Sequence, residues 1–140
     1  MGLRNLSNHA ADRRRPAAAI AAATLAFALF GAGPGEAADI AKGEAAFVRQ
    51  CAICHTINKG GENRLGPNLF GVVCRRAGTM PEFRYTNAFR NIATFEWTEG
   101  LIGPWIALPS VMVPGTAMGT FPGVSNRDKD DIVAYLAAQK

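Results

Sequence analysis

The stretch Cys51-Ala52-Ile53-Cys54-His55 decides how the rest of this 140-residue chain is interpreted. It has the form C-x-x-C-H, which is the pattern of covalent c-type haem attachment. Two thiols on one helical turn can add across the two vinyl groups of a haem, while the adjacent histidine projects toward the iron. The motif therefore predicts one haem c, attached through Cys51 and Cys54, with His55 as an axial iron ligand.

Two other kinds of cysteine site compete with this interpretation. The third cysteine, Cys74, brings the number of potential zinc ligands to the required four. However, Cys54 and His55 are consecutive, so their side chains leave the backbone in different directions, whereas zinc ligands normally come in spaced pairs. A thiol oxidoreductase would carry its C-x-x-C at the end of a strand in a βαβ pattern, which this sequence lacks. Both alternatives are disfavoured.

A second axial ligand has few candidates in this sequence. The only other histidine, His9, lies in an N-terminal stretch that we expect to be removed. Methionine is the remaining ligand type, and Met80, Met112 and Met118 are all available. Met118 follows a rigid Pro-Gly turn that is suited to hold its thioether in place. Spacing alone does not choose between Met118 and Met112.

Residues 1–37 have the layout of a signal peptide. A basic end with Arg4 and the run 13–15 precedes an apolar stretch over 17–30, and small residues follow. A transmembrane helix needs about 20 apolar residues, and this run is shorter and is closed by glycines and a proline. A cleaved signal peptide is therefore favoured over an uncleaved anchor.

Cleavage is expected after Ala37 or Ala38. The mature chain then starts near Asp39, and residues 38–140 form a single monohaem domain.

The charge of the mature chain is nearly balanced. The leader carries four arginines and two acidic residues, which leaves 11 basic and 9 acidic residues in the remainder. Because such a balance gives no dense basic face for phosphate groups, nucleic-acid binding is not supported.

Two helices are predicted at the ends of the domain. In the segment 40–51, Gly43 and Phe47 share one helical face with the first cysteine. Near the other end, Ser125 and Asp128 form a capping box before an apolar run. That run contains Ile132, Val133 and Leu136. Since glycines and a proline interrupt any period over 56–84, this segment is predicted to be a loop over the cofactor.

With these motifs in order, the chain resembles the class I cytochromes c, in particular bacterial cytochrome c2 and mitochondrial cytochrome c. The resemblance covers nearly the whole mature chain. Its matches are Gly43, Phe47, Gly66-Pro67-Asn68-Leu69-Phe70-Gly71, Arg75, Tyr85, Trp97, Pro109, Pro114-Gly115-Thr116-x-Met118 and Ile132-x-x-Tyr135-Leu136. It implies an all-α fold in which the N- and C-terminal helices pack together and loops wrap one covalent haem. The helix that approaches Gly43 is then the one that carries Ile132.

The resemblance also implies roles for individual residues. It makes Met118 the sixth iron ligand and gives Pro67 the role of supporting the proximal histidine. The cofactor-binding set that it implies is Cys51, Cys54, His55, Pro67, Arg75, Tyr85, Trp97, Thr116 and Met118. Within this set, Arg75, Tyr85 and Trp97 match positions that hydrogen-bond a buried haem propionate.

The function that the resemblance implies is electron transport rather than catalysis. The chain is expected to be a soluble, monomeric carrier in the periplasm, which takes part in a respiratory chain and meets membranes only through its partners. Those partners would be a quinol-oxidising complex, a reaction centre, an oxidase or a periplasmic dehydrogenase. The alternatives are a haem enzyme or small-ligand binder with a labile Met118, and a dedicated haem subunit of a larger dehydrogenase or oxidase.

Three positions depart from the family pattern. Cys74 occupies a turn position that is commonly glycine, and we expect an inert, partly buried thiol there, with a Cys74-linked dimer as the alternative. Pro104 predicts a helix that is shortened or kinked before Trp105, which is either a neighbour of the methionine sulfur or a plain core residue. Ala117 replaces a lysine of many relatives, so association with partners should depend only modestly on salt.

Overall fold

The computed structural model describes residues 37–140, and almost all of the predicted signal peptide lies outside them. The elements in order are α1 (Ile40–Gln50), α2 (Asn87–Ile92), α3 (Glu99–Ala107), α4 (Pro109–Met112), a 3-10 helix (Ala117–Thr120) and α5 (Asn126–Ala138). This part of the chain holds no β-strand, only an isolated bridge between Arg76 and Glu96. None of these helices has both the length and the apolar character needed to cross a bilayer. The all-α prediction is confirmed.

Helix α1 forms where the sequence predicted it. Its first turn is capped by Asp39, whose carboxylate accepts a hydrogen bond from the N–H of Ala41 at 2.9 Å. The side of the helix with Gly43 and Phe47 is buried, as their spacing predicted. The helix ends at Gln50, and the cap residue Cys51 donates its N–H to the carbonyl of Phe47 at 2.8 Å. The first haem-motif cysteine therefore directly follows the last turn of α1.

Helix α5 begins at the predicted cap. The Ser125 hydroxyl accepts a hydrogen bond from the N–H of Asp128 at 3.3 Å, which satisfies a donor that the helix itself leaves free. The apolar residues that were predicted to face the core, Ile132, Val133 and Leu136, are buried.

The close contact between α1 and α5 brings the two ends of the domain together. A Cβ atom added to Gly43 would lie 2.0 Å from the carbonyl oxygen of Asp131, so only a glycine fits there. One turn along α1, the ring of Phe47 lies 5.5 Å from the ring of Tyr135. Phe47 and Ile132 are 2% and 0% exposed. The predicted packing of the terminal helices is confirmed.

Hydrogen bonds fix both ends of α1 to α5. At the start of α1, the backbone N–H of Asp39 donates to Oδ1 of Asp131 at 2.7 Å. At its end, Nε2 of Gln50 donates to Oδ2 of Asp128 at 2.7 Å. Because charged acceptors strengthen hydrogen bonds, these two contacts hold the register of the helix pair.

The segment 56–84 contains no helix or strand, as predicted. Its conformation is set by side-chain hydrogen bonds around Asn68, which is 2% exposed. The Asn68 amide Nδ2 donates to the hydroxyl of Thr56 at 2.6 Å and to the carbonyl of Asn58 at 3.0 Å. A buried amide whose donors are satisfied in this way makes the loop that it bonds to more rigid.

Helix α3 is not shortened before Trp105, which was one of the two outcomes predicted from Pro104, the other being a kink. It continues through Pro104 and Trp105 and ends at Ala107. A proline inside a helix costs about 3 kcal/mol. On the same helix, Ile102 and Ile106 are buried, and burying each such side chain contributes about 1.5–3 kcal/mol. Packing therefore outweighs the local cost of the proline.

The side chain of Cys74 is exposed, so the expected partial burial is wrong. Its backbone has φ +67°, and its N–H donates to the carbonyl of Trp97 at 2.7 Å. Because the backbone is bonded to a core residue, the side chain is left on the outside of the turn. The positive φ agrees with the idea that this turn suits glycine.

We predict that Gly43→Ala destabilises the protein by about 1–3 kcal/mol, because the added methyl group must push α5 away from α1. This loss should exceed the gain of about 1 kcal/mol that alanine brings to a helix. Guanidinium chloride unfolding of the haem-loaded protein measures the difference.

The matched control is Gly100→Ala in α3. There the nearest atom to an added Cβ, Oγ1 of Thr98, is 3.8 Å away, so no contact must shift. We expect this variant to be neutral or more stable than the wild type. If both variants lost stability equally, the close contact at Gly43 would not be the cause.

A second prediction concerns the positive φ at residue 74. Cys74→Gly should be more stable than Cys74→Ala by about 1 kcal/mol, because only glycine avoids the cost of the left-handed conformation. Thermal unfolding of the two variants under identical conditions tests this, and equal stability would show that the turn is unstrained.

Candidate functional site

A cavity of about 340 Å³ lies between the loops and helices α1, α3 and α5. Buried apolar residues of these three helices form part of its wall, among them Phe47, Ile106 and Leu136. All of the predicted site residues line this cavity, namely Cys51, Cys54, His55, Pro67, Arg75, Tyr85, Trp97, Thr116 and Met118. Residues that are spread over much of the sequence are thus brought together in one place.

The haem motif forms a single turn that follows α1. The N–H groups of Cys54 and His55 both donate to the carbonyl of Cys51 at 3.0 Å, so the two cysteines face the cavity from adjacent positions. Burial, and to a smaller extent the nearby Cys54, raises the pKa of Cys51 to about 11. A redox-active dithiol depends instead on a lowered pKa. The site therefore does not support a thiol oxidoreductase.

The ring of His55 is held in one orientation. Its Nδ1 lies 2.7 Å from the carbonyl oxygen of Pro67, and because a carbonyl only accepts, Nδ1 carries the proton. The other nitrogen, Nε2, then keeps a free lone pair. Burial lowers the pKa of His55, and the hydrogen bond to Pro67 opposes this effect without cancelling it. The neutral imidazole with a free Nε2 is the form that binds metals.

Gly66 also contacts this histidine, because its lack of a side chain leaves room for the ring. A Cβ atom added to Gly66 would lie 2.1 Å from Cε1 of His55 and 2.6 Å from each ring nitrogen. The N–H of Gly66 donates to the carbonyl of Cys54 at 2.8 Å, which holds the glycine against the motif. The pair Gly66-Pro67 therefore contacts the imidazole both over its ring and at Nδ1.

Met118 is the methionine that faces this histidine's cavity. Its N–H donates to the hydroxyl of Thr116 at 3.3 Å, at the start of the 3-10 helix. Within the described residues, neither Met80 nor Met112 lines the cavity. Of the two methionines that spacing left open, Met118 is the one that lines the cavity.

The zinc alternative has no support in the part of the chain that is described. Between residues 37 and 140, no group of three or more His, Cys, Asp or Glu side chains is placed to hold a metal ion. Cys74, which would be the fourth ligand, is exposed and does not line the cavity.

Arg75 and Tyr85 add polar groups to one part of the wall. The guanidinium of Arg75 donates to the carbonyl of Asn68 at 2.9 Å and to that of Phe70 at 3.3 Å. The hydroxyl of Tyr85 accepts a hydrogen bond from the N–H of Met80 at 3.3 Å. Burial lowers the pKa of Arg75 and raises the pKa of Tyr85. Arginine stays protonated at neutral pH because its ordinary pKa is so high, and the shift at Tyr85 keeps the phenol neutral.

Aromatic rings form a continuous chain along the cavity. Successive ring centroids are 4.8 Å apart for Phe83 and Tyr85, 5.0 Å for Tyr85 and Phe89, 5.5 Å for Phe89 and Trp105, 5.6 Å for Trp105 and Trp97, and 5.0 Å for Trp97 and Phe95. Trp105 contacts core aromatics and also shares the cavity wall with Met118. Contacts of this kind add stability beyond the area that they bury.

Some residues of the wall were not predicted from the sequence. Phe89 is one of them. The sequence feature that could have indicated its helix is Thr86, a typical cap residue three positions earlier. The Thr86 hydroxyl accepts a hydrogen bond from the N–H of Phe89 at 3.1 Å. Ile102 and Ile106 are others, and their four-residue spacing marks one helical face. These side chains make the cavity apolar.

The donor set and the cavity fit a haem group. The wall is mainly apolar, a pair of thiols lies beside an imidazole with a free Nε2, and a thioether lines the same space. Imidazole and thioether are both known axial ligands of haem iron.

Comparison with known proteins agrees with this site. Residues 40–140 match the family model described as Cytochrome c. The chain is 42% identical over 105 residues to cytochrome c2 of Rhodoblastus acidophilus, which covers 74% of this chain and 95% of that protein. It is 38% identical over 117 residues to cytochrome c2 of Blastochloris viridis, which covers 80% of this chain and 90% of that protein.

A plant protein is similar to the same degree. Cytochrome c of Sesamum indicum is 38% identical over 99 residues, which covers 70% of this chain and 87% of that protein. The C-x-x-C-H motif of the family holds haem c covalently, and Cys51 and Cys54 have the spacing of that motif. The chain therefore belongs to the cytochrome c family, in class I, and is a haem c electron carrier rather than an enzyme.

Proposed function

We propose that the mature protein moves one electron at a time between redox proteins in the periplasm. The observation that carries this proposal is that His55 and Met118 line the same cavity as the two motif cysteines. Haem bound there supplies a one-electron iron couple whose potential depends on its axial ligands and surroundings. If both axial positions are filled by side chains, no substrate can coordinate, and outer-sphere electron transfer is the chemistry that remains.

The role of His55 is to stay in place while the oxidation state changes. Its orientation is set by the Pro67 carbonyl and by Gly66, and both belong to the loop fixed around Asn68. A ligand that is held by its neighbours needs little rearrangement during electron transfer, because its geometry is preorganised.

The role of Met118 is to tune the potential and close the iron to substrates. The Thr116 hydroxyl fixes the backbone of Met118, and this restricts the positions that the thioether can reach. Methionine ligation favours the reduced state and raises the reduction potential. An apolar wall acts in the same direction, since it disfavours additional charge.

Arg75, Tyr85 and Trp97 would bind a haem propionate. Arg75 is half-buried and already fixed by two backbone carbonyls, so its guanidinium can pair with a carboxylate at little additional entropic cost. This arrangement supports the propionate-binding role that the resemblance implies for Arg75.

The partners that we propose are a quinol-oxidising complex, a reaction centre, an oxidase or a periplasmic dehydrogenase. The similarity to two cytochromes c2 of bacteria supports this group without choosing among its members. We propose a respiratory carrier that acts as a monomer and meets membranes through these partners.

We predict that Met118→Ala changes the visible absorption spectrum of the purified protein. The wild type should have a low-spin c-type spectrum with the weak sulfur-to-iron charge-transfer band, and that band should vanish in the variant because its ligand is gone. The matched control is Met112→Ala, which removes a half-buried methionine outside the cavity and should keep the band.

Other outcomes of the same measurement point to the alternative functions. A high-spin wild type would favour a haem enzyme or small-ligand binder with a labile Met118. Loss of the band in Met112→Ala alone would assign the ligand to Met112. Gel filtration of native extract addresses the third alternative, because a dedicated haem subunit would elute with a larger complex.

Export and processing give a further prediction. If the signal peptide is removed after Ala38, the new amino group is the nitrogen that lies 2.7 Å from Oδ1 of Asp131, where a positive charge would be stabilised. We therefore expect the intact, non-reduced mass of periplasmic protein to match one chain that begins at Asp39 or Ala38 and carries one haem. A mass that includes the leader would contradict processing, and a doubled mass would indicate a dimer linked through Cys74.

A further inference from the structure

Met80 is a methionine that does not line the cavity but contacts two residues that do. Its Sδ atom accepts a hydrogen bond from Nη1 of Arg75 at 3.3 Å. Its backbone N–H donates to the hydroxyl of Tyr85, also at 3.3 Å. One residue outside the cavity is thus bonded to two of the polar groups in the cavity wall.

The contact with Met80 helps to determine which N–H groups of Arg75 are free. A guanidinium has five N–H donors in a fixed planar arrangement. Nη1 donates to the Phe70 carbonyl and to the Met80 sulfur, and Nη2 donates to the Asn68 carbonyl. Within the described residues, the N–H groups left without a partner are therefore on Nε and Nη2. These two atoms form one edge of the guanidinium, and such an edge binds a carboxylate through two parallel hydrogen bonds.

The backbone of Met80 has a matching effect on Tyr85. A phenol oxygen can both accept hydrogen bonds and donate one. Because the N–H of Met80 occupies an acceptor position on this oxygen, the O–H of Tyr85 stays available as a donor. Burial raises the pKa of Tyr85, so the phenol keeps its proton at neutral pH. Arg75 and Tyr85 therefore both retain donors that can bind a carboxylate.

The turn that carries Met80 is itself held in place. The N–H of Phe83 donates to the carbonyl of Met80 at 3.4 Å, and Nδ2 of Asn63 donates to the carbonyl of Pro81 at 2.9 Å. Oδ1 of the same asparagine accepts from the N–H of Asn68 at 2.9 Å. The Met80 sulfur and the Asn68 carbonyl, which both bond to Arg75, therefore belong to one hydrogen-bonded loop.

We propose that Met80 is a positioning residue, whose sulfur holds the guanidinium of Arg75 so that its Nε and Nη2 edge is free to bind a haem propionate. This inference rests on the proposed function and on the role proposed there for Arg75. A carboxylate in the place of Met80 would neutralise the guanidinium, whereas sulfur is a weak, uncharged acceptor and leaves the charge of Arg75 for the propionate. Because a nearby cation disfavours the additional positive charge of oxidised iron, a correctly placed Arg75 raises the reduction potential.

The test compares two substitutions of similar size in the haem-loaded protein. Met80→Leu keeps the volume and the apolar character of the side chain but removes the acceptor, whereas Met80→Gln supplies an amide oxygen as acceptor. We expect Met80→Leu to lower the equilibrium constant for reduction about threefold, which is a fall of about 30 mV in the potential of a one-electron couple. Met80→Gln should keep the wild-type potential. Potentiometric titration measures both.

A role in packing alone predicts the opposite order, because glutamine introduces a polar amide and leucine does not. Guanidinium chloride unfolding of the same proteins shows whether Met80→Leu is as stable as the wild type, as we expect. The matched control is Met112→Leu. Met112 is also half-buried but is not among the partners of Arg75, so its replacement should leave the potential unchanged.

A variant of Arg75 shows whether the sulfur acts through the guanidinium. Arg75→Gln should have a lower potential than the wild type, and adding Met80→Leu to it should lower the potential no further. A further fall in the double variant would overturn the inference, because Met80 would then act independently of Arg75. The comparison of Met80→Leu with Met80→Gln does not require Arg75→Gln to fold.

The remaining outcomes separate the role of Met80 from the functions on which it rests. A wild-type potential in Met80→Leu, or equal falls in Met80→Leu and Met80→Gln, would overturn only the role of Met80 if Arg75→Gln still lowers the potential. An unchanged potential in Arg75→Gln would overturn the propionate-binding role of Arg75 as well. A wild type without a reversible one-electron couple would overturn the proposed function itself.

Discussion

The contact between α1 and α5 at Gly43 is the constraint on which the rest of the structure depends. Because the backbone of α5 lies where a side chain would otherwise be, the position of α1 is fixed to within a small tolerance. Phe47 follows one turn later and belongs both to the core and to the cavity wall. Cys51 follows after one more turn. A packing requirement at the end of the chain thereby sets where the covalent attachment point lies.

The attachment point in turn positions the histidine of the electron-transfer site. The turn that begins at Cys51 directs His55 into the cavity, and the loop through Gly66-Pro67 locks its ring by contact and by hydrogen bond. Met118 comes from a distant 3-10 helix, so the two side chains that we propose as ligands are held by separate parts of the fold.

The sequence predicted those features that depend on local spacing. The C-x-x-C-H motif, the cap at Ser125 and the faces of α1 and α5 follow from neighbours a few residues apart, and the structure contains each of them. Whether Met118 or Met112 faces the cavity depends on the tertiary fold. Spacing between neighbouring residues cannot predict it. The expected shortening at Pro104 was wrong for a related reason: the cost of the proline is local, whereas the burial that offsets it comes from packing against other elements.

The central claim is that His55 and Met118 hold the iron from within one cavity. Proton NMR of the reduced, haem-loaded protein with labelled methionine methyl groups tests it most directly, because a methyl group held over the haem face is strongly shifted by the ring current. The account predicts one far-upfield methionine methyl signal that disappears in Met118→Ala, while those of Met80 and Met112 keep ordinary positions. An unshifted set of methionine signals, or an upfield signal from Met112, would contradict it.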